Sequence, residues 1–398
     1  MELPIDINKL TQVINQKCAP CNGIIKSYRC SKIGQGRGYA SNILRVSIHW
    51  DCVQGAENLP KSVVIKTPSA STANELDETT KSLFSDAFLN EAHDRECNLY
   101  ECLLTSNEPS PIPIATCYYV QKASNDKDIP PMIILEDFTN RAVHIEFPEN
   151  DATLDQTLAV VENVAKLQAY GVHHPNIKLK LTPISKDVYE PFIATNHSYL
   201  LDQLRLKFGQ NILPFTNHEY WEKFSVARKY LKLFYNPIDP SMPQVLSLGD
   251  VQPNNLFWFP KPNNTNQPSS KLAAMLDFQF CQFGCCMTDI ANFVSILCPT
   301  TLRRNNECKI IDYYLATLAE YCNPLPCPVN CNEAIRAYKL ALFHFAAIFL
   351  LFAPLMMKAG HGSNDSLENW QKFVHRLSDI FVEISERELN GSTENPIE

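Results

Sequence analysis

The chain has 398 residues, 45% of them hydrophobic, which suffices for one large or two medium domains with a sizeable core and excludes a peptide or mini-protein. Thirty-five Lys and Arg against 43 Asp and Glu leave a net charge of −8, which argues against general binding to nucleic acid or to an anionic membrane. An anionic ligand must therefore meet a local positive site.

The first third reads as short β-rich runs separated by turns, at 24–28, 43–50, 61–66, 115–121 and 132–135, where β-branched and aromatic residues concentrate. A single helix is expected there, over 80–104, with Phe84, Phe88, Leu99, Tyr100, Leu103 and Leu104 at helical spacing. The prolines at 109 and 111 close it. After about Phe138 helical patterns dominate, at 154–169, 218–234, 310–319 and 333–351. Within that half, strands at 256–259 and 272–278 flank the polar loop PKPNNTNQPSS and read as a hairpin. The stretch 341–357 is strongly apolar but shorter than the roughly 20 residues of a membrane span, and it holds His344 and Pro354, so a buried helix fits better. Only the last ten or so residues, after Glu388, read as loose. The layout is α+β: a β-rich lobe over 1–138 and a mainly helical lobe over 139–398, whose intervening cleft is the expected site.

Fifteen cysteines would suit a small secreted disulfide framework, but this chain is long and opens MELPIDINKL, without the basic and apolar regions of a secretory leader. They read as reduced thiols in the cytoplasm. Cys18 and Cys21 have metal or redox spacing yet lack the second half of a zinc site.

Glycine is scarce, 12 in 398 or about 3% against the usual roughly 7%, yet three fall at Gly34, Gly36 and Gly38. Between two strands they let backbone N–H groups approach phosphate oxygens, although an ordinary glycine-rich hairpin turn has the same pattern. A strand follows them, not a helix, which counts against a dinucleotide fingerprint or a P-loop. Lys66 leaves the apolar run Val63-Val64-Ile65 and is placed to reach phosphates, with Glu91 or Glu96 of the following helix as a brace. Glu96 shares a face with Leu99, Tyr100 and Leu103.

In VLSLGDVQPNNLFWF, Asp250 and Asn255 stand five apart in a turn, and Asp277 ends the return strand 27 residues beyond Asp250. Asp250 suits a proton acceptor, and Asn255 with Asp277 suits Mg²⁺ shared with phosphate, although Asp and Asn are also ordinary turn formers. Glycine loop, strand lysine, helix glutamate, Asp-x₄-Asn and a second Asp occur in the order that a bilobal kinase needs.

On these motifs, together with DRECNLYECL, MIILEDF and MLDFQFCQFGCCMTDIANF, the chain resembles the choline kinase-like and ecdysteroid kinase-like phosphotransferases, which have a protein-kinase-like fold. The resemblance implies a β-rich N-lobe with one long helix, ATP and Mg²⁺ as cofactors, and a small-molecule hydroxyl acceptor of ecdysteroid, choline or xenobiotic-conjugate type. It assigns the phosphate anchor to Lys66 with Glu96, catalysis to Asp250, the metal to Asn255 and Asp277, and a supporting role to Asp289. It places an adenine-binding hinge near Glu136 and Phe138. The chain departs from the family at Leu248, where His-Gly-Asp is common. The alternative expectation is a nucleotide-binding pseudokinase that serves as a regulatory module.

Overall fold

The computed structural model describes residues 2–18, 22–34, 40–51, 58–69, 85–105, 108–124, 130–184, 197–209, 243–358 and 367–391. It divides into two compact units, Met1–Ser110 with Ile114–Arg141, and Pro111–Pro113 with Ala142–Glu398.

The first unit opens with a helix absent from the sequence reading, α1 (Ile7–Lys17). Its signals are in the chain: Asp6 caps the N-terminus by accepting from the Asn8 and Lys9 amides, and Leu10, Val13 and Ile14 form the buried stripe. Strands β1 (Ile24–Ile33), β2 (Ser41–Asp51) and β3 (Ser62–Pro68) precede the helix α2 (Asp86–Thr105). The expected residues 80–84 of that helix lie outside the described residues. Strands β4 (Cys117–Gln121) and β5 (Met132–Glu136) complete an antiparallel sheet of order β1-β2-β3-β5-β4. All five expected strands are present, most of them longer than read, because the exposed ends of a strand need no apolar residue. Val46, Val63, Ile65 and Ile134 pack with the α1 stripe into one core.

The second unit begins with α3 (Leu154–His173), started by a capping box in which Thr153 and Gln156 satisfy each other's backbone amides. A short helix α4 (Ile177–Lys180) and α5 (His197–Phe208) follow. The expected helix 218–234 lies outside the described residues. Strand β6 (Gln244–Ser247) leads into the turn before the hairpin of β7 (Leu256–Lys261) and β8 (Asn264–Met275), and β6 pairs with β9 (Gln282–Cys285). The hairpin corrects the sequence reading: most of the polar segment expected as a loop is strand, paired down to Lys261 opposite Asn264. Its outer residues are exposed on both faces, so no alternation marks them.

Four helices finish the unit: α6 (Thr288–Leu297), α7 (Thr300–Cys322), α8 (Cys331–Lys358) and α9 (Leu367–Gly391). Helix α7 starts ten residues before the expected 310 because its first turns, TTLRRNNECK, are polar. Helix α9 carries order past Glu388, where the sequence reads as loose. Helix α8 has 28 residues, so the length argument against a membrane span does not hold as made. Its Cys331–Pro354 stretch is long and apolar enough to cross a membrane, with mean hydropathy 1.7, but 72% of it is buried within the protein. It packs on α5, α6, α7 and α9 as a core helix. Every described cysteine is a free thiol.

Candidate active site

In the first unit, Lys66 sits on β3 opposite Ile43 of β2 and Ile133 of β5. Its Nζ lies 2.6 Å from Glu96 Oε2 on α2, and both side chains are buried. Helix α2 packs on β3 and β4, and the face that buries Leu99, Tyr100 and Leu103 also turns Glu96 inward. Glu91 pairs instead with Arg95, one helical turn on, at 2.8 Å. Two charges removed from water cost several kcal/mol each, and a hydrophobic pair often serves stability as well or better. A fold gains little from this pair, whereas an anionic ligand gains a fixed, desolvated ammonium.

Of the glycine loop, Gly34 directly follows β1 with φ +68°, a left-handed conformation that favours glycine. Gly36 and Gly38 lie outside the described residues. At the end of β5, the Glu136 N–H donates to Thr116 O at 2.9 Å and is thereby committed. Half-burial pushes the Glu136 carboxyl up, but hydrogen bonds from Thr116 and Arg141 outweigh it and hold the group below its usual range. Phe138 carries the Arg141 guanidinium 5.0 Å from its ring centroid, and its carbonyl accepts the Arg141 N–H. Between them, Asp137 pairs with Arg45 at 3.0 Å and accepts from Ser62 at 2.7 Å. The segment 136–138 is thus braced by side chains on both sides of it in sequence.

In the second unit, β6 runs into Leu248 and then Gly249, whose φ is +79°. A Cβ there would lie 2.5 Å from the Phe280 carbonyl oxygen, so the close approach and the backbone angle both require glycine. The turn is held from α6 by Asp289, fully buried. Its Oδ1 accepts from Ser247 Oγ at 2.9 Å and from the Gly249 N–H at 2.8 Å, and its Oδ2 accepts from the Leu248 N–H at 2.9 Å. Burial pushes the Asp289 carboxyl above its usual range, while these three donors pull the other way. The Leu248 side chain is buried, and this anchoring uses no imidazole.

Beyond Gly249 the chain makes one 3₁₀ turn, Pro253–Asn255. Asn255 Nδ2 donates to the Asp250 carbonyl at 2.9 Å and to Asp250 Oδ2 at 3.0 Å, and Gln252 Nε2 donates to that same Oδ2 at 2.9 Å. The hairpin returns Asp277 to this turn, since Leu256 faces Met275 and the Leu276 N–H donates to Asn255 O at 2.9 Å. Asp277 has φ +64°, one of two non-glycine residues with positive φ among those described. Such backbone costs of order 1–3 kcal/mol and clusters at functional sites.

The structure therefore brings Lys66 to Glu96 in one unit, and Asp250, Asn255 and Asp277 to one hairpin end in the other. The residues that sequence reasoning missed are Ser247, which donates to Asp289, and Gln252, which donates to Asp250, and both bonds depend on the turn. Most of the apolar stretch 341–357 is buried, as its sequence suggests.

A β-sheet unit with one long helix bearing the partner of a strand lysine, followed by a mainly helical unit holding a β-hairpin, matches the protein-kinase-like fold. A putative aminoglycoside phosphotransferase from Ralstonia eutropha JMP134 shares it, with TM-score 0.50 and 13% identity over 96% of this chain and 98% of that one. A choline kinase from Cryptosporidium parvum Iowa II aligns at TM-score 0.49 and 10% identity over 97% and 96% of the two chains. The chain belongs to the DUF1679 family, described as "Uncharacterized oxidoreductase dhs-27", which matches residues 8–383. The Caenorhabditis elegans protein of that name is 22% identical over 372 residues, 89% of this chain. The chain spans 42% of that relative's length.

Proposed function

We propose that this chain is an ATP-dependent small-molecule kinase that moves the γ-phosphoryl group to a hydroxyl of an organic acceptor. The observation that carries the reading is the hairpin end, where Asp250 is hydrogen-bonded to Asn255 and the Leu276 amide ties Asp277 to the same turn. The acceptor oxygen would attack the γ-phosphorus, the bond to the β–γ bridging oxygen would break, and the hydroxyl proton would pass to Asp250 as ADP leaves. Lys66, held by Glu96, would anchor the phosphates. Most of the rate would come from positioning and charge neutralisation.

The donor set fits Mg²⁺. With Nδ2 of Asn255 spent on Asp250, its Oδ1 is the atom left for a cation, and Asp277 supplies a carboxylate. Mg²⁺ takes oxygen ligands and prefers one or two carboxylates completed by phosphate and water. When bound, Mg²⁺ would neutralise phosphate charge.

The oxidoreductase name belongs to a protein more than twice as long as the matched part. The strand pairs among the described residues are antiparallel, whereas a βαβ dinucleotide unit is built on parallel strands. A second reading, a nucleotide-binding regulatory module without turnover, is favoured by Leu248 alone. The Asp289 anchoring of the turn speaks against it.

The test is turnover of Mg-ATP by the purified chain with a panel of hydroxylated sterols, amino alcohols and glycosides. A phosphorylated product is expected, and Asp250→Ala should slow its formation by about 10²–10⁴-fold. Equal rates for the variant and the wild type would remove Asp250 from its role.

A further inference from the structure

We infer that Gln252 is a positioning residue for Asp250, an inference that rests on the phosphotransferase reading. A carboxylate on a short side chain rotates broadly about its last bond. Asn255 gives one N–H to the Asp250 carbonyl and the other to Oδ2, so it brings a single donor to the carboxylate. Gln252 adds a second donor to the same Oδ2 at 2.9 Å.

The Gln252 backbone is itself locked. Its N–H donates to the Asp250 carbonyl at 3.0 Å, and its own carbonyl accepts the Asn255 N–H at 2.9 Å. Pro253 begins the 3₁₀ turn next to it and fixes the chain there. The side chain is half-buried, so part of its ordering entropy is already spent in the folded protein. Two amides on one oxygen set the plane of the carboxylate, and with it the angle at which a hydroxyl is met. Misplacement of a reacting group by about 1 Å can cost on the order of 10²-fold in rate. Leu248 gives this division of labour its reason: with no imidazole at the turn, Asp289 secures the backbone and Gln252 the side chain.

The experiment uses the full chain with Mg-ATP and whichever acceptor the panel identifies. Gln252→Leu keeps the size and removes the donor; it should lower kcat roughly 10- to 100-fold with KM for Mg-ATP and Tm unchanged. Gln252→Lys, which restores a donor of similar reach, should recover most of the loss. In an Asp250→Ala background, Gln252→Leu should change nothing further, since the two act as a unit. An active wild type whose Gln252→Leu variant stays within about twofold in kcat overturns the inference and leaves the kinase reading standing. So does a full additional loss in the Asp250→Ala background, or a fall in Tm that the activity merely follows. A wild type that forms neither product nor ADP sinks the kinase reading, and the inference with it.

Discussion

His344 shows what burial does to a single titratable side chain. It lies in the middle of α8 with its ring edge-on to Phe345 at 4.8 Å. Desolvation alone lowers its pKa from 6.5 to about 3, so the folded protein holds a neutral imidazole. Between those two values the unfolded chain binds a proton that the folded chain refuses, and stability must therefore rise with pH through that window. The contribution is whole above about 6.5 and drains away as the pH falls, by up to about 1.4 kcal/mol per pH unit for one such proton. His344→Leu removes the proton site while keeping an apolar group of similar bulk. Denaturant unfolding from pH 4 to 6 should show a shallower dependence for the variant than for the wild type. Parallel curves would mean that another group carries the acid sensitivity. The buried Lys66–Glu96 pair follows a different logic, because there each charge meets its opposite at 2.6 Å.

At the scale of elements, the turn after β6 is where backbone and chemistry are least separable. Gly249→Ala places a Cβ 2.5 Å from the Phe280 carbonyl oxygen at φ +79°, so either the turn or the segment before β9 must move. The left-handed angle alone costs an L-residue roughly 1–2 kcal/mol, and the clash adds to it. Thermal unfolding should show that loss, and phosphoryl transfer should fall by more than the stability change explains, because Leu248 and Gly249 both donate to Asp289. Unchanged turnover in Gly249→Ala would show that the turn tolerates what its geometry forbids. Much of this element was legible beforehand. Asp250, Asn255 and Asp277 could be brought together on paper because a hairpin must return its second strand to where the first began. Gln252 and Ser247 could not, since their hydrogen bonds depend on backbone angles that a one-dimensional pattern does not contain. Helix α1 was missed although its cap and stripe are in the sequence, because the stripe is only three residues deep, and the outer half of β8 because solvent on both faces erases the alternation that marks a strand. Helical phase left both Glu91 and Glu96 open and the family resemblance pointed to Glu96; Lys66 pairs with Glu96, while Glu91 pairs with Arg95.

For the whole molecule, the question is whether nucleotide binding and turnover occur in one chain, which the kinase and regulatory readings answer differently. A ligand that binds only the folded state raises stability by RT ln(1 + [L]/Kd), about 2.7 kcal/mol at a hundredfold excess over Kd. In a chain of this length that should appear as a rise of a few degrees in Tm with Mg-ATP. Lys66→Met removes the ammonium proposed to hold the phosphates and should abolish most of the rise. Asp250→Ala leaves Lys66 and Glu96 in place and should keep the rise while losing the product. The two variants thus separate binding from chemistry, because their side chains stand in different units and neither substitution touches the other's hydrogen bonds. A wild-type shift with no phosphorylated product from any acceptor class would favour the regulatory module. No shift in the wild type, under conditions where Lys66→Met behaves identically, would leave the buried ion pair as a feature of the fold and withdraw the nucleotide from the account altogether.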